Sequence, residues 1–205
     1  MKMSDGATGE THGDDDTEGL LQTQLTNKRA RDIAELEAIG SAYQKYIFRP
    51  RGKAVKADWL SPEFIRKIHA DMFGSIWDWG GKFRTKNLNL GIEWHLIPEQ
   101  VHLLCGDFKY WNSSSSSMDV IEIAARLQNR LTRIHPFRNG NGRHARLVTD
   151  IFFDSKGQRL PTWPEVQLVT HGEQIRQRYI AAMKKADQED YPELIALIRE
   201  WIEAD

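Results

Sequence analysis

The feature that most constrains this chain is the stretch His135-Pro136-Phe137-Arg138-Asn139-Gly140-Asn141-Gly142-Arg143-His144-Ala145-Arg146, set between two apolar-periodic segments. Upstream of it Val120, Ala124, Leu127, Leu131 and Ile134 recur in alternating steps of four and three, the spacing of one buried helical face. Pro136, Gly140 and Gly142 stop that helix from running on. A second helical pattern starts at Gly142 and ends near Ser155, with Gly157 just past it. The chain is thus committed to two central helices joined by a tight glycine-rich corner.

The flanking sequence reads as more helix. Ile33, Leu36, Ile39, Tyr43, Tyr46 and Ile47 predict one apolar face of a helix from Lys28, ended by Pro50 and Gly52. Ser61-Pro62 is a helix start, with a capping hydroxyl and a proline at the first turn, and Phe64, Ile65, Ile68 and Met72 form the expected buried face before Gly74. Asp119 and Glu122 are placed as a capping pair for the Val120–Ile134 segment, after the low-complexity connector Ser113–Ser117. Further helices are expected from about Pro164 to Lys185 and from Pro192 to Ala204. One run breaks the period: Leu88, Leu90, Ile92 and Trp94 alternate with Asn89, Gly91 and Glu93, as in a strand. The fold class expected is all-α, a helical bundle with one small β-hairpin.

Composition narrows function. With 28 Lys and Arg against 29 Asp and Glu, the net charge of -1 gives no overall basic field for nucleic acid. The single cysteine, Cys105, excludes an internal disulfide framework. The N-terminus shows no apolar run of a signal peptide and no stretch is long enough for a membrane span, so a cytoplasmic protein is expected. Residues 1–27 are acidic and poor in apolar side chains, and a flexible segment is expected there, with one domain over 28–205.

The corner itself carries the chemistry. Gly140 and Gly142 permit positive φ angles, so that successive N–H groups can turn into one concavity, and the helix that follows adds its free N–H groups and positive dipole end. Such a nest suits phosphate. Arg143 and Arg146 can present guanidinium forks to further phosphate oxygens, so a polyphosphate fits better than a single phosphate. His135 has a near-neutral pKa and opens the loop, which suits a general base, while Phe137 is expected to plug the loop into the core. A metal site built on His135 and His144 lacks further ligands at suitable spacing.

These residues resemble the Fic family signature, His-x-Phe-x-(Asp/Glu)-Gly-Asn-Gly-Arg-x-x-Arg, with Asn139 at the acidic place. Met72-Phe73-Gly74, Trp77-Asp78-Trp79-Gly80-Gly81 and Phe83-Arg84-Thr85 are similar to further family stretches, as is Tyr179-Ile180-Ala181-Ala182 with Ala186-Asp187. The asparagine form and Tyr110-Trp111 look most like the branch labelled mobile mystery protein B. The resemblance implies a Fic-type bundle that moves AMP from ATP to a Tyr, Thr or Ser hydroxyl of a target protein. It implies ATP phosphates over Gly140, Asn141 and Gly142, His135 as base, Arg143 and Arg146 on the β- and γ-phosphates, and Mg²⁺ at Asn139. It also implies a target-binding flap at Asn87, Leu88, Asn89, Leu90, Gly91 and Ile92, running on to Trp94, and at branch level a small helix-turn-helix companion with a toxin-like role.

Asn139 is the departure from the signature, because a neutral amide oxygen is a weaker ligand for a hard dication than a carboxylate. A transferase of another phosphate-bearing donor, or a nucleotide- or protein-binding module with weakened chemistry, therefore stands beside the AMP transferase. The family's inhibitory motif has no strict copy. Its nearest counterpart, Asp14 to Gly19, makes Glu18 a candidate competitor of nucleotide phosphate for Arg146.

Overall fold

The structure, a computed structural model, describes residues 17–48, 59–169 and 174–204. Its helices are α1 (Lys28–Tyr46), α2 (Pro62–Phe73), α3 (Ile97–Trp111), α4 (Val120–Ile134), α5 (Asn141–Ser155), α6 (Glu165–Val169), α7 (Gln174–Ala186) and α8 (Pro192–Glu203). The all-α class holds, and α4 is its centre, packed against α3, α5, α7 and α8, while α1 lies on α2. Of the α4 face expected from the spacing, Ala124, Leu127, Leu131 and Ile134 are buried and Val120 in the first turn is half-buried, with Ile123 also buried beside them. The neighbouring α5 is buried all round from His144 to Phe153, so the corner between α4 and α5 is anchored from both sides.

Local signals account for the helix ends. Ser61 Oγ accepts the Phe64 N–H at 3.1 Å and caps α2. Asp119 caps α4 through the Glu122 N–H at 2.8 Å, but the Glu122 carboxylate reaches Arg126 at 2.9 Å instead of closing a reciprocal box. The helix expected across Pro164–Lys185 is seen as α6 and α7, with 170–173 outside the described residues. The Pro50 and Gly52 stop also lies outside them, and α1 ends at Tyr46.

Three expectations fail. The run Asn87–Glu93 is irregular, with bends at 89–92, and Trp94–Leu96 is a 3₁₀ turn; among the described residues the β pairing recorded is an isolated bridge, Leu20 to Trp77. The alternation misleads because the loop closes on side chains. Asn87 Oδ1 accepts the Trp94 N–H at 3.0 Å and its Nδ2 donates to Glu93 at 2.7 Å, leaving no partner strand to extend. On α1 the expected face fails in its first half: Ile33 and Leu36 are 49% and 70% exposed while Arg31, Glu35 and Ala42 are buried, whereas Tyr46 is buried and Ile39, Tyr43 and Ile47 pack on the core as expected. The helix is turned so that Glu35 faces inward, where an indole and a guanidinium satisfy it. Finally, residues 17–27, assigned to a flexible segment by composition, are docked: Leu21 N–H donates to Ile76 O and Asp78 N–H to Gly19 O, both at 2.8 Å. Residues 1–16 of that segment lie outside the described residues.

Candidate active site

The corner after α4 is made by His135 itself, which closes the helix in the left-handed conformation, φ 52 and ψ 59. The residue is 7% exposed and lines a cleft of about 1210 Å³ that also takes in Gly91, Asn139, Gly142, Arg143 and Arg146. The His135 Nδ1 lies 3.3 Å from the Thr132 carbonyl oxygen. A carbonyl can only accept, so Nδ1 carries the proton and Nε2 is left with its lone pair. Burial pushes the imidazole down to about 4, the Thr132 carbonyl opposing and the Arg84 charge adding to the shift. The ring is therefore neutral at pH 7 and ready to accept a proton.

The loop is stapled from within. Phe137 is fully buried and stacks on His69, with ring centroids 3.7 Å apart. Asn141 Oδ1 accepts the Phe137 N–H at 2.9 Å and Asn141 Nδ2 donates to the Phe137 carbonyl at 2.8 Å, so this amide braces the loop. Gly140 has the expected positive φ of +74, and a Cβ there would sit 2.5 Å from the Phe73 ring. Gly142 does not share that conformation; it lies in the first turn of α5, where a Cβ would meet nothing closer than Arg146 Nη1 at 3.5 Å. Its lack of a side chain keeps the helix mouth open to a ligand. The first intrahelical bond there is His144 N–H to Gly140 O, leaving the Asn141, Gly142 and Arg143 N–H groups at the positive end of α5.

Both arginines are engaged by carboxylates from outside the loop. Arg143 Nη1 meets Glu35 Oε2 at 2.7 Å, and Glu35 Oε1 also accepts Trp77 Nε1–H at 2.7 Å. Arg146, 4% exposed, holds Glu165 as a two-pronged fork, Nε to Oε1 at 2.7 Å and Nη2 to Oε2 at 2.5 Å. Glu18 is placed on Arg138 at 2.7 Å rather than on Arg146. Asn139 Oδ1 accepts the Gly140 N–H at 2.7 Å, which leaves it one lone pair. Among the described residues no cluster of three or more His, Cys, Asp or Glu is arranged to hold a metal. The protein thus fits Mg²⁺ poorly as a direct ligand set, one neutral oxygen being all that the loop brings, and a metal here would depend on phosphate oxygens.

Four residues outside the motif shape this site and were not identified as such from the sequence. Glu35 and Glu165 come to the arginines from 108 and 19 residues away. His69 is fully buried, takes the Gly81 N–H on Nδ1 at 2.9 Å and gives its Nε2–H to the Asn139 carbonyl at 3.0 Å. Arg84 Nε donates to the His135 carbonyl at 2.8 Å. Spacing carries no signal for such contacts. The flap residues split: Leu90, Gly91 and Ile92 line the cleft, whereas Asn87, Leu88 and Asn89 do not.

Residues 59–153 match the model of the Fic/DOC family. The protein adenylyltransferase Fic of Drosophila ananassae is 27% identical over 203 residues, covering 97% of this chain and 38% of that protein, so the chain spans well under half of the relative's length. Among solved structures, a Fic-1 fragment from C. elegans carrying E274G superposes with a TM-score of 0.66 at 22% identity, over 95% of this chain and 56% of the other. A BepC protein from Bartonella tribocorum with bound AMPPNP gives 0.58 at 15% identity, over 88% and 90%. These likenesses establish the fold. Curated relatives include insect and nematode proteins, and nothing in them supports the mobile mystery protein B branch or, with it, the helix-turn-helix companion. Among the described residues no helix is long and apolar enough to cross a membrane.

Proposed function

We propose that the Fic/DOC domain at residues 59–153, with the helices around it, transfers AMP from ATP to a hydroxyl side chain of a target protein. The observation that carries this reading is a buried neutral imidazole, tautomer set by Thr132, sharing one cleft with the open N-terminus of α5 and two arginines. The target hydroxyl gives its proton to His135 Nε2 as its oxygen attacks the α-phosphorus. The bond from that phosphorus to the bridging oxygen breaks, and pyrophosphate leaves with the charge that Arg143, Arg146 and the α5 N–H groups stabilise. A bound metal would add charge neutralisation at the phosphates. Glu35 and Glu165 now occupy the guanidinium faces that a triphosphate needs, so donor binding requires at least Glu165, 48% exposed at its side chain, to swing away.

The name of the Drosophila relative and the AMPPNP bound to the Bartonella protein support the donor and the reaction. A second reading, a nucleotide-binding module with weakened chemistry, draws on Asn139, whose only side-chain oxygen is already bonded to Gly140. Incubation of the protein with a cell lysate and ATP labelled at the α- or the γ-phosphate separates them. Label from the α position on protein supports AMP transfer; γ-label points to a kinase-like donor; nucleotide binding without either favours the second reading.

A further inference from the structure

Arg84 lies outside the glycine loop and outside α5, yet its buried side chain bonds to the His135 carbonyl and to the backbone at both ends of the 86–92 loop. Nε donates to the His135 carbonyl at 2.8 Å, Nη1 to the Lys86 carbonyl at 2.8 Å, and Nη2 to the Ile92 carbonyl at 2.5 Å. The Arg84 backbone N–H adds a bond to the Pro136 carbonyl at 2.9 Å. One residue therefore joins both ends of the 86–92 loop to the first two residues of the motif.

His135 needs such support. Its left-handed φ of 52 costs a residue with a Cβ about 1–2 kcal/mol, which the surroundings must offset. The loop also rests directly on it. At Gly91, φ +93, a Cβ would fall 2.5 Å from His135 Cβ and 2.8 Å from Arg84 Nη2, so the loop backbone lies against both the root of the His135 side chain and the guanidinium. A single cation with five fixed donors can hold three carbonyls in this way; a lysine in its place can reach them only as a point charge.

We infer that Arg84 is a positioning residue for the transfer reaction proposed above, locking the 86–92 loop to the backbone of His135 so that a target segment engaging the loop is delivered to the base in register. The bonds are to main-chain oxygens, so they hold whatever side chains the loop presents. The Arg84 charge also acts on the ring: after burial, the larger cause, it discourages the imidazolium, against the opposing Thr132 carbonyl.

The test uses the full chain with Arg84→Gln and Arg84→Lys, and reads amide hydrogen exchange over residues 86–93 together with the His135 ring titration by NMR. ATP affinity and the kinetics of transfer complete it. In Arg84→Gln, exchange in the loop accelerates by about tenfold or more and the His135 midpoint rises, with ATP affinity unchanged within about twofold. The turnover number falls about a hundredfold while KM for ATP holds. Arg84→Lys keeps the His135 midpoint low but does not recover loop protection or turnover. Parental loop exchange in a folded variant, or a fall in ATP affinity as large as the fall in turnover, overturns the inference. If Arg84→Gln does not fold, Arg84→Lys carries the same comparison. Exchange and ring titration need no turnover, so a protein that transfers no AMP counts against the proposed function and still leaves Arg84 to be judged.

Discussion

At the scale of single residues, the proposed function makes Asn139 and Glu165 the groups that govern how a donor would enter this site. Removing the Glu165 charge with Glu165→Gln frees the Arg146 fork, and ATP binding measured by calorimetry should tighten by about tenfold, the effect of losing one charge-assisted competitor. Unchanged affinity means that Arg146 does not meet the donor. Asn139→Asp places a charged oxygen where an amide now accepts the Gly140 N–H. In a Mg²⁺ titration, transfer by this variant at low metal should rise above that of the parent, with Asn139→Ala below it. An aspartate variant slower at every Mg²⁺ concentration means that asparagine is the adapted residue and that another donor or metal must be sought. The burial of Phe137 and the positive φ of Gly140 were legible because a glycine corner after a helix permits few geometries. The partners of Arg143 and Arg146 were not, because an ion pair across 108 residues depends on how α1 is rotated.

The lesson at the scale of elements lies in α1, α3 and the 86–93 loop. Periodicity located α4 and α5 because their apolar stripes face one core. On α1 two of the six expected apolar residues, Ile33 and Leu36, are exposed, since burying Glu35 against Trp77 and Arg143 fixes the helix rotation. The sequence expectations leave α3 out, although Ile97, Val101, Leu104, Phe108 and Trp111 repeat at helical steps with a proline in the first turn. The alternation from Leu88 to Trp94 carried the opposite risk, because a loop tied by Asn87 and Arg84 needs no partner strand. Gly91→Ala tests that loop: its positive φ and the 2.5 Å approach to His135 predict a loss of about 1–3 kcal/mol in urea unfolding. Stability within about 0.5 kcal/mol of the parent would mean that the loop does not rest on the base.

The molecule as a whole buries titratable groups beside its site, and this sets its response to pH. Burial pushes His135 and His144 down to about 4 and His69 well below the ordinary range. A histidine with a depressed pKa binds fewer protons folded than unfolded, so its contribution is full above about 6.5 and is lost as pH falls toward 4. Asp150 works the other way: burial raises it to about 7 despite bonds from Trp163 and Tyr43, so its contribution fades as pH rises from about 4 toward 7. Three histidines outweigh one carboxyl, and urea midpoints should fall steadily between about pH 6.5 and 4; a flat profile there would mean that these rings are solvated. The central claim remains that His135 takes the proton in AMP transfer, and mass spectrometry of lysate proteins incubated with ATP and either the parent chain or His135→Ala tests it most directly. The account predicts an added AMP on a Tyr, Thr or Ser with the parent, and none with a His135→Ala variant that still binds ATP. The same modification at an undiminished level with His135→Ala would contradict it.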